Sequence, residues 1–322
     1  MIKYALTTLS DTGLHIGINS IPKNDLLSIK RIIEYDKNNS ADLIDRNEVF
    51  KLHEYDVLFI HYGGLVNFGG VQSKHAIELI NIINEFTGPI IIFSNDVMNG
   101  VNNPERDGFV RITRPVIYAD PKGEIDPTKT KGLEIIKSIT INQTFPIGKF
   151  LSEQERIVGE PVYQAIYGGR ARPSMFKILK KIASKHDLVM YGNIAKKIPG
   201  SITLKHKKIF SNLELTTVTS LGCYSFIFYE EKKTYFTSRV FEQLFSNSIV
   251  LFDTRYKVFS MFWNENNTFS NEDELLQRLS EPWSWERVKA QHKMASEFDF
   301  DKNISEECEQ INEVVFWARQ ST

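Results

Sequence analysis

Two short apolar runs, DVLFIHY (Asp56 to Tyr62) and PIIIFS (Pro89 to Ser94), limit what this chain can fold into. Each is bounded by Gly or Asn, and each is too short for an ordinary helix. Strands covered on both faces have this composition. Between them, within Ser73 to Phe86, Ala76, Leu79, Ile80 and Ile83 recur at helical spacing. A strand, a helix and a strand in that order predict a parallel βαβ unit with a right-handed crossover. IKYALTT (Ile2 to Thr8) reads as the opening strand of the same sheet.

The second half repeats the style. VYQAIYGG (Val162 to Gly169) is a strand running into glycines, and Pro173 then starts a helix, as Pro can at the first helical position. Met175, Ile178, Leu179 and Ile182 form the apolar stripe of that helix. DLVMYGN (Asp187 to Asn193), CYSFIFY (Cys223 to Tyr229) and SIVLFD (Ser248 to Asp253) are further strands, with a helix from about Ser238 to Ser246. Cys308, Ile311, Val315 and Ala318 make the tail helical. Pro146, Gly148 and several charges mark a hinge near Phe145 to Glu160. The expected architecture is α/β: two Rossmann-like lobes with a central cleft, divided as residues 1–155, residues 156–303 and a C-terminal helix, 304–322, crossing back to the first lobe. In open α/β sheets, ligands bind beyond the carboxyl ends of the strands.

Composition narrows the function classes. The chain has 322 residues, 42% of them apolar and 25% charged, enough for a sizeable core. With 39 Lys plus Arg against 40 Asp plus Glu, the net charge is −1, which excludes a histone-like polycation and an acidic disordered tail. Two cysteines, Cys223 and Cys308, make no disulfide framework. No apolar run approaches the ~18 residues of a membrane span, and MIKYALTTLSDTG lacks the apolar core of a signal peptide. The expectation is a soluble, cytoplasmic protein with no membrane partner. Charge is nevertheless uneven. Arg170 to Lys208 holds eleven Lys plus Arg and one acid, a net of +10, whereas Asn271 to Thr322 holds twelve acids and six bases, a net of −6.

Four motifs carry candidate chemistry. In YGGRAR (Tyr167 to Arg172), glycines ending a strand allow close backbone approach, the next helix offers N–H groups to phosphate, and Arg172 offers a bidentate fork. A plain strand-to-helix turn fits the motif equally well. In SRVFEQLF (Ser238 to Phe245), Arg239 and Glu242 share a helix face, a cation for a diphosphate and a carboxylate for ribose hydroxyls, although an intrahelical ion pair is the simpler reading. In FSND (Phe93 to Asp96), Asp96 at the carboxyl end of a buried strand is a candidate general base, with turn chemistry the simpler reading. NFGG (Asn67 to Gly70) sets an aromatic beside glycines in a loop, or packs Phe68 into the core. The seven histidines show no metal-ligand spacing. Asp299 and Asp301, a DxD, read as solvated.

Taken together and in this order, these pieces resemble the DNA β-glucosyltransferases of T-even phages. The stretches that carry the resemblance are AIYGGRARPSMFKIL with LVMYGN, FTSRVFEQLFSNSIVLFD, VNFGG, IIFSND and NSIPKNDLLSIKRII (Asn19 to Ile33). The resemblance implies the glycosyltransferase-B architecture. It also implies an inverting transfer of a sugar, glucose first, from a UDP-sugar to the hydroxymethyl group of a 5-hydroxymethylpyrimidine in duplex DNA. Such a bacteriophage DNA modification, in the host cytoplasm, would serve evasion of host restriction. By resemblance, Gly168, Gly169, Arg170, Arg172, Ile209, Arg239 and Glu242 bind the UDP-sugar. Asp96 is the base and Asp25 stands at an active-site carboxylate position. Asn67, Phe68 and Gly69 meet DNA, as do Lys177 and Lys181 from the basic stretch. Arg170 replaces a family serine, and Asn95 competes with Asp96 for the base position. No metal site is read, but divalent ions accompany diphosphate leaving groups in general, so Mg2+ enters as an expectation.

Two other readings stay open: a glycosyltransferase of the same fold acting on a small molecule or glycan, and a non-catalytic nucleotide or DNA binder. The residues leave open the sugar, the oligomeric state and whether the acceptor is hydroxymethylcytosine, hydroxymethyluracil or a base already modified.

Overall fold

The computed structural model describes residues 1–8, 21–45, 47–61, 74–93, 112–120, 133–141, 159–168, 175–191, 203–205, 212–227, 238–298 and 300–321. The chain divides into two compact units, Met1–Gln143 with Phe300–Thr322, and Thr144–Asp299.

The first unit holds one six-stranded, all-parallel sheet. Its strands are β1 (Ile2–Thr8), β2 (Asn39–Leu43), β3 (Val57–His61), β4 (Ile90–Phe93), β5 (Val116–Asp120) and β6 (Ile135–Thr140), in the spatial order β2-β1-β3-β4-β5-β6. The runs predicted as β1, β3 and β4 are buried on both faces, which is why their residues are almost all apolar. Side chains alternate between two cores. Tyr4, Leu6, Val57, Phe59, Ile91 and Phe93 face one side, with Leu26, Ile29, Ile32 and Ile33 of α1 (Ile21–Ile33). Ala5, Leu58, Ile60, Ile90 and Ile92 face the other, with Ile80 and Ile83 of α2 (Lys74–Glu85). The C-terminal helix Phe300–Ser321 covers the α1 face, burying Ile304, Cys308, Ile311, Val314, Val315 and Ala318. Each fully buried Ile, Leu or Val contributes about 1.5–3 kcal/mol.

The second unit holds another parallel six-stranded sheet. Its strands are β7 (Tyr163–Gly168), β8 (Leu188–Tyr191), β9 (Thr203–Lys205), β10 (Gly222–Ile227), β11 (Ile249–Asp253) and β12 (Thr268–Phe269), ordered β12-β11-β10-β7-β8-β9. One face packs α3 (Phe176–Ala183) through Leu179 and Ile182. Helix α3 starts at Phe176, three residues after Pro173, which lies outside the described residues. Helix α4 (Asn212–Thr219) leads into β10. The other face packs α5 (Ser238–Leu244) through Val240, Phe241 and Leu244. Helices α6 (Glu272–Leu279) and α7 (Trp285–Ala295) follow, and the Phe300–Ser321 helix is α8. Where β10 meets β7, a Cβ on Gly222 would come within 2.6 Å of the Ile166 side chain, so only glycine lets the two strands pair this closely.

Both sheets reverse their winding once. The reversal lies between β1 and β3 in the first unit and between β7 and β10 in the second. Such points leave a crevice beyond the carboxyl ends of the two diverging strands, and ligands bind there.

Candidate functional site

In the first unit the two strands at the reversal end in polar residues. The Thr8 hydroxyl, closing β1, donates to the backbone carbonyl of His61, closing β3, at 3.1 Å. Asp25 sits on the sheet-facing side of α1, one turn before Ile29, and there its carboxylate meets the imidazole. His61 Nε2 lies 2.9 Å from Asp25 Oδ2, with the side chains only 1% and 3% exposed. The Phe93 ring, at the end of β4, lies 5.6 Å from the imidazole. Toward a carboxylate that accepts, Nε2 carries the hydrogen, and in the neutral imidazole Nδ1 is then the acceptor. Nδ1 is buried and has no hydrogen-bond partner among the described residues. Spacing among the histidines did not reveal His61. Its one sequence signal is a titratable residue closing an otherwise apolar buried strand.

The other residues expected in this unit, Asn67, Phe68, Gly69, Asn95 and Asp96, lie outside the described residues.

In the second unit, Gly168 closes β7 at the reversal. Tyr167 beside it stacks on Phe226 of β10, ring centres 5.6 Å apart, and its hydroxyl donates to Met175 Sδ at 3.6 Å. This fixes the strand end from which Gly169, Arg170 and Arg172 continue; those three, and Ile209, lie outside the described residues. Arg239 belongs to the first turn of α5, and its side chain is likewise outside them. Glu242, one turn on, is 5% exposed. A buried carboxylate needs hydrogen-bonding or charged company. The end of α5 is anchored by Gln291 of α7. Its Nε2 donates to the Leu244 and Ser248 carbonyls, both at 3.0 Å, while its Oε1 accepts from Val250 N at 2.8 Å.

The two lysines expected to meet DNA differ. Lys177 is 87% exposed, its ammonium 3.9 Å from Glu272. Lys181 lies 2.9 Å from Asp273 Oδ1 and 3.3 Å from Glu272 Oε2. The bond to Asp273 pushes the Lys181 pKa up, and the same bond pulls the Asp273 pKa down. Those acids open α6, where the Asn271 side chain caps the Asp273 and Glu274 N–H groups, both at 3.0 Å, and where negative charge is favoured by the helix dipole. The +10 of the linear stretch is thus partly matched within the fold. Asp301 pairs with Arg31 at 3.3 Å.

Among the described residues no group of three or more His, Cys, Asp or Glu side chains could hold a metal ion. No helix among them is long and apolar enough to cross a membrane.

No protein-family model matches the sequence, and no curated protein matches it. Solved structures do match. T4 phage β-glucosyltransferase in complex with UDP and Mn2+ superposes with a TM-score of 0.74 at 15% identity, over 98% of this chain and 99% of that one. The fold is glycosyltransferase-B. An aspartate-to-alanine mutant of the T4 enzyme in complex with UDP-glucose matches with a TM-score of 0.71 at 14% identity, over 98% and 99% of the chains. Anabaena HepE in complex with UDP and glucose matches at 0.53 and 10% identity, again over 98% and 99%. These likenesses extend over both glycosyltransferase-B sheets and the C-terminal helix. At such identities they establish the fold, and the activity is argued from the residues.

Proposed function

We propose that this protein is an inverting, UDP-sugar-dependent glycosyltransferase that moves a sugar, glucose first, to the hydroxymethyl group of a 5-hydroxymethylpyrimidine in duplex DNA. The observation that carries the reading is Asp25 with His61 at the sheet reversal of the first unit and Gly168 at that of the second, with a buried carboxylate, Glu242, on α5 of the same unit. The fold shared with UDP-bound glycosyltransferases supports it.

The second unit takes the donor. Gly168 and Gly169 allow the diphosphate close to the backbone, and Arg170, Arg172 and Arg239 match its charge. Glu242 accepts from the ribose hydroxyls, and Ile209 packs on the uracil. The first unit takes the acceptor base, which must leave the duplex stack to react. Asp96 removes the hydroxymethyl proton while that oxygen bonds to the anomeric carbon. The bond from that carbon to the diphosphate oxygen breaks on the opposite face, and its electron pair leaves with UDP, stabilised by the arginines. The described residues offer no donor set for a divalent ion, and no step is assigned to one.

The test is to incubate the protein with hydroxymethylated DNA and UDP-glucose, digest the DNA and weigh the nucleosides. A hexose adduct is expected; no hexose or pentose adduct with any UDP-sugar overturns the reading. Asp96→Asn should lower transfer by about 100-fold or more with UDP affinity retained, and unchanged turnover would take the base role away from Asp96.

A second reading, transfer to a glycan or small molecule, draws on the net charge of −1 and on the pairing of Lys181 with Glu272 and Asp273. Salt-sensitive retention on a DNA column separates the two.

A further inference from the structure

We infer that His61 is a substrate-contacting residue of the first unit. Its bare Nδ1 accepts a hydrogen bond from an O–H or N–H of the acceptor, while Asp25 fixes the tautomer and the ring plane. The inference rests on the transfer reading above and names the group that receives the acceptor.

Three observations converge. The imidazole and the carboxylate are both buried and 2.9 Å apart, a geometry that orients a histidine and leaves one nitrogen to act. That second nitrogen is buried without a partner among the described residues. A buried polar atom left unsatisfied is costly, and a site waiting for a ligand is one of the few reasons such an atom persists. The pair also stands at the carboxyl end of β3, beside the reversal between β1 and β3, where the sheet topology opens toward a ligand. Around the imidazole, α1 contributes the Asp25 carboxylate and β4 the Phe93 ring, and β1 anchors the strand through Thr8.

Two substitutions separate contact with substrate from support of Asp25. Glutamine reaches as far as Nε2 and keeps a donor for Asp25, but it removes the acceptor at Nδ1. Asparagine keeps a carbonyl near Nδ1 and loses the reach to Asp25. His61→Gln should raise the acceptor KM roughly tenfold with UDP affinity by calorimetry unchanged, and His61→Asn should stay nearer the parent in KM. The reverse order, Gln like the parent and Asn impaired, assigns His61 to support of Asp25 and overturns the inference. A penalty on both hydroxymethylcytosine and hydroxymethyluracil DNA assigns the bond to the hydroxymethyl group; a penalty on the cytosine form alone assigns it to the exocyclic amine. NMR of the unsubstituted protein with 15N-labelled histidine reads the nitrogen directly and holds even if both variants misfold. An unprotonated Nδ1 that shifts when acceptor is added supports the inference, and a protonated or unmoved Nδ1 overturns it. If the parent transfers no sugar from any donor to any acceptor, the transfer reading falls and this inference with it. If the parent is active and His61→Gln matches it, the inference falls alone.

Discussion

Tyr4→Phe should make the first unit more stable, most visibly in alkali. Tyr4 is fully buried in β1 beneath α8, and its hydroxyl has no hydrogen-bond partner among the described residues. An unsatisfied buried hydroxyl costs about 1–3 kcal/mol. Phenylalanine keeps the ring and removes the orphan oxygen, at the expense of that atom's packing contacts. The net expectation is a gain of about 1 kcal/mol near pH 8, or roughly 2–4 °C in Tm. Alkali adds a second signal. Burial pushes the Tyr4 pKa far above the ordinary tyrosine value, with the Cys308 thiol adding to the rise. From pH 10 upward the unfolded tyrosine has released its proton and the folded one has not. The unfolded state then binds fewer protons, so stability present below pH 10 is lost as pH rises, by up to about 1.4 kcal/mol per pH unit. Urea unfolding of both proteins at pH 8 and pH 11 measures it. The advantage of Tyr4→Phe should be about 1.4 kcal/mol larger at pH 11. A variant less stable at pH 8 with the same loss in alkali would show that the hydroxyl is bonded, and would refute the reasoning.

Gly88→Ala should destabilise the first unit by about 2 kcal/mol or more. Its new Cβ would sit 2.2 Å from the backbone oxygen of Asp56 and 2.9 Å from the Phe86 ring, and backbone cannot swing aside. An unchanged urea midpoint would contradict this. On hydroxymethylated DNA, Lys177→Ala should lower the slope of log affinity against log salt by about one, whereas Lys181→Ala should leave it unchanged, since Glu272 and Asp273 already match that charge. Equal effects of the two substitutions would mean that Lys181 abandons its carboxylates for phosphate.

Most of the interior was legible because strands covered on both faces must be apolar, and β1, β3, β4, β7, β8, β10 and β11 satisfy that throughout or nearly so, whereas the interior strand β5, VIYAD, was passed over although Val116 to Ala119 are buried. The margins were not. NSADL of β2 and IIKSIT of β6 form sheet edges, with one side toward solvent, and carry too few apolar residues to stand out. Helix α4, NLELTTVT, buries Thr216 and Thr219, so its inner face is not marked by an apolar stripe. The site divides along similar lines. For Gly168 the local motif weighed evenly between a ligand-binding turn and a plain one, and for Glu242 it favoured an intrahelical ion pair, so both became site candidates through the resemblance. The pairing of Asp25 with His61 spans 36 positions, and nothing near either residue announces the other. Asp25 was reached by resemblance alone, and its partner only once the sheet brought β3 beside α1.

The residues of α8 complete a core whose other members come from the start of the chain. During synthesis that face of the first sheet therefore keeps only its α1 cover until residues 300–321 have been made, after every residue of Thr144–Asp299. Truncation before α8 would leave that apolar face bare on a domain otherwise able to form, and exposed surface of that kind invites aggregation.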